Sequence, residues 1–307
     1  LEALGDKRVS LVTAGVPCQG FSLCNRKRHD DDERNFLFRE FLRVAKLVKP
    51  EAILLENVSG ITRAGNGSFK EAILAEMNDM GFKASWRLLN AADYGVPQLR
   101  NRVFFVGTKP GTEFKWPTPT HGGNRKPYVT VWEAIGDLPP LEVCESSDSY
   151  ASPPQNEYQS MLRGDCEVLL NHEAPNHPPE TVEMIARTKP GEPMYPRFKQ
   201  RIRLHPARPS PTQVSGGIRP QFQFGHPTQP RGLTVRERCR IQSFPDHYYI
   251  TGGIVQGRVQ TGNAVPPLLA RVIGLEIKRS ITGREENAAG IKKSKRQKKF
   301  DDFLAKN

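Results

Sequence analysis

The chain is 307 residues long, with 37% hydrophobic residues and a formal net charge of +12, which gives room for one large α/β domain plus a smaller one and points to a polyanionic partner. No apolar run approaches the length of a membrane span and the mean hydropathy is −0.56, so a soluble protein is expected. Five cysteines (Cys18, Cys24, Cys144, Cys166, Cys239) show no Cys-x-x-Cys spacing, a pattern that argues against a zinc cluster or a disulfide framework and for a reducing, intracellular setting.

Val9–Val16 is an apolar, β-branched run that stops at Gly15 and Pro17; it reads as a buried parallel strand ending in a tight loop with Cys18 on its tip. Cys18 is either a small buried apolar residue or a nucleophile, held where open α/β sheets place their chemistry. The polar link Asn25–Arg34 is long enough to act as a lid. Residues 35–48 then place Leu37, Phe41, Leu42, Ala45 and Val48 on one helical face. Ala52–Leu55 is a second strand, followed at once by Glu56-Asn57-Val58. A carboxylate at a strand's carboxyl end, beside a thiol, suits an acid that protonates a heteroatom while sulfur attacks.

Ser68 with Glu71 reads as a capping box and Gly81 as a helix stop, giving a helix over 69–80 with Ile73, Leu74 and Met77 inward. Phe82–Asn90 and Arg102–Gly107 are β-rich runs, so the stretch Gln98–Arg102 leads into a late strand of the same sheet. Arg100 and Arg102 are either surface charges or fork-shaped donors that grip phosphate and the oxygen of a pyrimidine. Nineteen of the 26 prolines fall between Pro117 and Pro230, which marks a loop-rich region. Within it, Thr212–Gly217 has small residues and backbone amides suited to a phosphate, or is a plain flexible loop. Thr234 with Glu237 signals another capped helix, and Ala264–Lys278 a last one, whose start at Gly262–Val265 suits a polar ligand group. From Gly290 onward seven basic and two acidic residues leave the body at +7, and this tail is expected to be disordered.

The segments Pro17-Cys18-Gln19, Glu56-Asn57-Val58 and Gln98-Leu99-Arg100-Asn101-Arg102 resemble the Pro-Cys-Gln, Glu-Asn-Val and Gln-x-Arg-x-Arg motifs of the DNA cytosine-5 methyltransferase family. Arg203-Leu204 leading to Pro209 and Thr212 resembles the family's ninth motif, and Gly262-Asn263-Ala264-Val265-Pro266-Pro267 its tenth. The likeness runs from about residue 9 to about residue 275, and the family's first three motifs are absent. The resemblance implies an α/β fold, a Rossmann-like S-adenosylmethionine-dependent methyltransferase sheet incomplete at its amino-terminal half, with a smaller, loop-rich target recognition domain. Residues 1–117 would be the catalytic core, 118–205 the recognition domain, 206–280 the return of the ninth and tenth motifs to the core, and 281–307 the basic tail.

By the same resemblance the cofactor is S-adenosyl-L-methionine, met by Pro17, Leu37, Asn263, Ala264 and Val265. The substrate is double-stranded DNA, met by Gln19, Ser22, Asn57, Gln98, Thr212, Ser215 and Gly216. Cys18 would add to C6 of a flipped-out cytosine while Glu56 engages N3, and Arg100 and Arg102 would hold the base and support that geometry. A tRNA cytosine-5 methyltransferase and a noncatalytic DNA-binding homologue are the alternatives; the Cys-Phe-Thr segment of the tRNA branch is missing, and a binder has no need of a thiol. A thiol hydrolase lacks a histidine at a strand end. The absent motifs further imply a preceding segment, in cis or on a partner chain, beside Val9–Val16. The cluster Lys292–Lys299 reads as a nuclear import signal, if the source is eukaryotic, or as a nonspecific DNA arm in the cytoplasm or nucleoid. Gln297–Leu304 looks like a sliding-clamp docking box.

Overall fold

A computed structural model describes Gly5 and residues 8–16, 37–215 and 222–283. Pro17, Cys18, Gln19, Ser22, the link Asn25–Arg34, Gly216, the cluster Lys292–Lys299 and the box Gln297–Leu304 lie outside the described residues. Contacts group the chain into two compact units. One takes the described residues up to Asn90, Asn101–Thr118 and the chain from Arg271; the other takes Ala91–Arg100 and Pro119–Ala270.

The first unit is a sheet with two helices against it, together with the helical chain from Arg271. Its strands are β1 (Leu11–Gly15), β2 (Ala52–Val58), β3 (Lys83–Asn90) and, after the two-residue β4 (Gln98–Leu99) that belongs to the second unit, β5 (Asn101–Thr108). The order is β1-β2-β5-β3, with β1 and β2 parallel and β5 antiparallel to both neighbours. Helices α1 (Leu37–Val48) and α2 (Ser68–Asp79) close over it. Phe38, Phe41, Leu42 and Ala45 of α1 and Ile73 and Met77 of α2 form one core with Ile53, Leu55, Val103 and Phe105 of the sheet. Each large side chain so buried stabilises the unit by about 1.5–3 kcal/mol.

Of three expectations for this unit, two need correction. Phe38, not Leu37, fills the core from the start of α1; Leu37 and Val48 remain half-buried. Among the described residues β1 is an edge strand, parallel to β2 as expected, with Leu11, Val12 and Ala14 half-buried and Thr13 exposed. Ser68 is not a cap: Gly65, Asn66 and Gly67, all at positive φ, make the turn, Gly67 is the N-cap, and no side chain caps the helix. Glu71 instead pairs with Lys70 Nζ at 2.8 Å. Gly81 does stop α2, at φ +84° with its N–H donating to Asn78 O.

The second unit is made of short elements: helices α3 (Val131–Ile135), α4 (Glu157–Arg163) and α5 (Pro179–Arg187), strands β6 (Ile202–Arg203), β7 (Ser210–Pro211) and β8 (Phe224–Gly225), then α6 (Val235–Ile241) and α7 (Ile254–Asn263). β4 pairs with β7 and β6 with β8, both parallel. Every residue of α6 is buried, four charged ones included. Its Thr234–Glu237 capping box forms as the spacing predicts, with Thr234 Oγ1 accepting from Glu237 N and the carboxylate accepting from Thr234 N. The last helix, expected over 264–278, forms but starts three residues later. The chain leaves α7 at Asn263, passes through Ala264–Pro266, and starts α8 (Pro267–Thr282). Two consecutive prolines remove two amide donors and disfavour helical backbone just before them, so the break falls there.

Candidate active site

In the first unit the apolar run of β2 ends at Leu55, and the next residue, Glu56, pairs in register with Gly15 at the end of β1. A Cβ on Gly15 would stand 3.4 Å from Glu56 Oε2, so glycine leaves room there for the carboxylate. From the opposite side β5 supplies Arg102, two residues from Phe104, which is Glu56's partner in the ladder. Arg102 Nε lies 2.9 Å from Glu56 Oε1, with both side chains mostly shielded, and Arg102 Nη1 donates to Asn101 O. This shielded, charge-assisted contact fixes one carboxylate oxygen. Asn57 is buried and its Oδ1 accepts from Val58 N, so its side chain shapes the end of β2. Three residues beyond Gly15 the sequence carries Cys18.

The second unit gathers three separated motifs in one buried polar web. Arg100 is fully buried; Nη1 donates to Gln213 O at 2.9 Å, and Nη2 to Gly262 O at 2.8 Å and Ala264 O at 2.9 Å. Gln98 accepts from Gln213 N at 2.9 Å and donates to Gln242 Oε1, while Gln242 Nε2 donates to Thr261 O and Ala264 O. Thr212 Oγ1 donates to Leu99 O at 2.7 Å. Gln223 straddles the same loop, accepting from Val214 N and donating to Thr212 O. Gly262 allows the closest approach: a Cβ there would lie 2.3 Å from Ser215 N and 2.4 Å from Val214 C.

These contacts bear on three of the expected sites. Arg100 directs both terminal nitrogens to carbonyls and so positions the 212–215 loop and the 262–264 turn. The amides of Gln213 and Val214 are already taken by side chains, so neither is free for a phosphate. At the amino end of α8, Leu268 N donates to Ser243 Oγ at 3.2 Å. Asn263 is exposed, and Ala264, Val265 and Ser215 are half-buried. Gln213, Gln223 and Gln242 were missed. Their signal is weak, because a glutamine in a loop or at a helix end is ordinarily solvated, and only the buried carbonyls around them give them work.

The electrostatics behind the web are those of α6. Burial alone would raise the Glu237 carboxyl, but Arg231, bonded to both its oxygens at 2.7 and 3.0 Å, holds it well below the usual range. His226 is pushed down to about 4 by burial. Its Nδ1 accepts from Thr228 N and Gln229 N, so its 3.6 Å approach to Glu237 is that of a neutral ring, not an ion pair.

A family profile described as C-5 cytosine-specific DNA methylase matches residues 3–279. The chain is 37% identical over 285 residues to the type II methyltransferase M1.HphI of Haemophilus parahaemolyticus, covering 89% of this chain and 69% of that one. It is 34% identical over 313 residues to M.DdeI of Desulfomicrobium norvegicum, covering 89% and 74%. Among solved structures, a candidate DNA modification methyltransferase encoded within a prophage (E. coli) superposes with a TM-score of 0.73 at 24% identity, covering 92% of this chain and 82% of that one. A Spodoptera frugiperda DNMT2 mutant gives 0.53 at 15% identity, covering 90% and 81%.

Proposed function

The chain belongs to the C-5 cytosine-specific DNA methylase family and methylates cytosine at C5 in DNA, and from that premise we propose how its residues carry the reaction. The reading rests on one observation above all: Glu56, at the carboxyl end of β2, is held by Arg102 beside the end of the strand that runs on to Cys18. A target cytosine taken out of the DNA stack costs a few kcal/mol, offset by contacts in its pocket. The Cys18 thiolate forms a bond to C6 while Glu56 delivers or shares a proton at N3, and the displaced electron pair makes C5 nucleophilic. S-adenosylmethionine, when bound, supplies the electrophilic methyl group. The C5 proton then leaves to a base, the C6–sulfur bond breaks, and N3 returns its proton to Glu56. An unperturbed thiol titrates near ~8.5, so a neutralised adduct, made possible by Glu56, favours attack at neutral pH. Arg102 keeps Glu56 oriented, and Arg100 sets the loop and turn of the ninth and tenth motifs.

The residues that would hold the cofactor fit it in their surroundings. Leu37 is kept out of the core by Phe38 and offers a half-exposed apolar face for an adenine ring. In the second unit Asn263, Ala264 and Val265 retain exposed surface while the carbonyls of Gly262 and Ala264 are tied to Arg100. We assign the sheet β1-β2-β5-β3 to the Rossmann-like methyltransferase core and the segment 118–205 to target recognition. Both relatives quoted come from bacteria, and we assign Lys292–Lys299 to a nonspecific DNA arm.

Incubation with tritiated S-adenosylmethionine and either duplex DNA or tRNA tests the reading: label enters DNA, and Cys18→Ala abolishes it. Duplexes carrying 5-fluorocytosine trap a denaturation-stable adduct, because fluorine cannot leave as a proton does. A persisting adduct in Cys18→Ala would sink the assignment of the nucleophile.

A further inference from the structure

Residues 191–203 form a hairpin whose base is locked and whose tip is not. Gly191 N donates to Arg203 O, Arg203 N to Glu192 O, and Met194 N to Arg201 O. Met194 packs with Ile185 and Phe222 in a small core, and Arg203 Nη1 donates to the carbonyls of Ile185, Ala186 and Thr188 at the carboxyl end of α5, each at 3.1 Å. Beyond that anchor the tip exposes Arg197, Lys199 and Gln200.

Arg201 differs from Arg203, two residues along. It is 8% exposed, yet its Nε and Nη1 have no hydrogen-bond partner. Among the described residues no carboxylate pairs with it; it lies 4.2 Å from the ring centre of Phe198 and 5.7 Å from that of Tyr195. Burial pushes its guanidinium below the ordinary value. A cation covered by two rings is partly offset by their faces, but its unfilled donors remain a cost. Three positive charges within five residues, with one of them unsatisfied, call for an anion brought from outside.

We propose that the hairpin Gly191–Arg203 grips the DNA phosphate backbone, with Arg197 and Lys199 as exposed contacts and Arg201 as a cation stored under Phe198 that turns out to a phosphate. This rests on the DNA-methylating activity above. It also separates two jobs: phosphate contacts fix register without reading sequence, so specificity belongs to other side chains of the second unit.

The test uses the full chain and fluorescent duplexes of several sequences, with binding followed by anisotropy from about 50 to 200 mM salt. Arg201→Met is expected to lower the slope of log K against log salt by about 1, and Arg197→Gln/Lys199→Gln by about 2, equally on all duplexes. Arg201→Lys should keep the slope. Thermal unfolding is read on the same samples: Arg201→Met should leave the midpoint unchanged or raised, because it removes a buried charge that has no partner. Wild-type affinity and slope in Arg201→Met would overturn the proposal, as would a midpoint that falls along with binding, the mark of a structural arginine. Loss confined to one duplex sequence with an unchanged slope would overturn the phosphate assignment. Methyl transfer to the same duplexes is measured alongside: an active wild type with an indifferent hairpin refutes this proposal alone, while a wild type that transfers no methyl group to DNA refutes the functional reading.

Discussion

Arg100 and Arg102 stand two positions apart and do unlike work. Arg102 meets a carboxylate; Arg100 meets three carbonyls. Arg102→Met should therefore lower turnover on the order of 10²-fold and also lower the thermal midpoint, since it takes a guanidinium away from a mostly shielded carboxylate. Arg100→Met strands several buried acceptors at about 1–3 kcal/mol each, not additively, and should appear first as lost stability in denaturant unfolding. Gly262→Ala places a methyl group against backbone that cannot yield and should cost about 1–3 kcal/mol. A Gly262→Ala variant as stable as the parent would mean that the 212–215 loop is looser than its contacts imply. Glu56 stood out in the sequence as a carboxylate at the end of an apolar run, and Arg102 as a member of the stretch Gln98–Arg102 that leads into a strand. The direction in which Arg100 points was not legible, since nothing local records the carbonyls of residues 213, 262 and 264.

At the scale of elements, α6 is short and is held in place by charge satisfaction. Arg240 bonds Asp137 and Asp246, each at 2.6 Å, Arg231 bonds Glu237, and Tyr158 donates to the Arg240 carbonyl. Thr234 caps the helix inside this network and also meets His172 Nδ1 at 3.1 Å, so Thr234→Ala should cost about 1–2 kcal/mol, the upper range for a cap, seen as a lowered unfolding midpoint. Threonine followed by glutamate three residues later announced this helix in the sequence. The same pattern at Ser68 misled, because the glycines before it take the turn themselves. Apolar periodicity likewise located α1, α2, β2 and β5. It was silent on strand direction, which is set by partners far along the chain.

Taken whole, the molecule should be sensitive to mild acid. His226 and His177 are both pushed down to about 4, in each case first by burial, so the unfolded chain binds more protons than the folded one between about pH 6.5 and pH 4. Stability falls as pH falls through that window, and the depressed Glu237 and Asp246 carboxyls carry the loss on below pH 4.5. Thermal midpoints measured from pH 7.5 to pH 5 should decline, and His226→Gln should flatten the decline. The two-unit division has one more consequence. The first unit draws on the chain before Asn90, on Asn101–Thr118 and then on residues from Arg271, so roughly 150 residues separate its strands from its last helix. At about 5–20 residues per second of synthesis, the ribosome holds that sheet without its final helix for some ~8 to 30 seconds. In that interval the second unit is synthesised before the last segment of the first unit emerges.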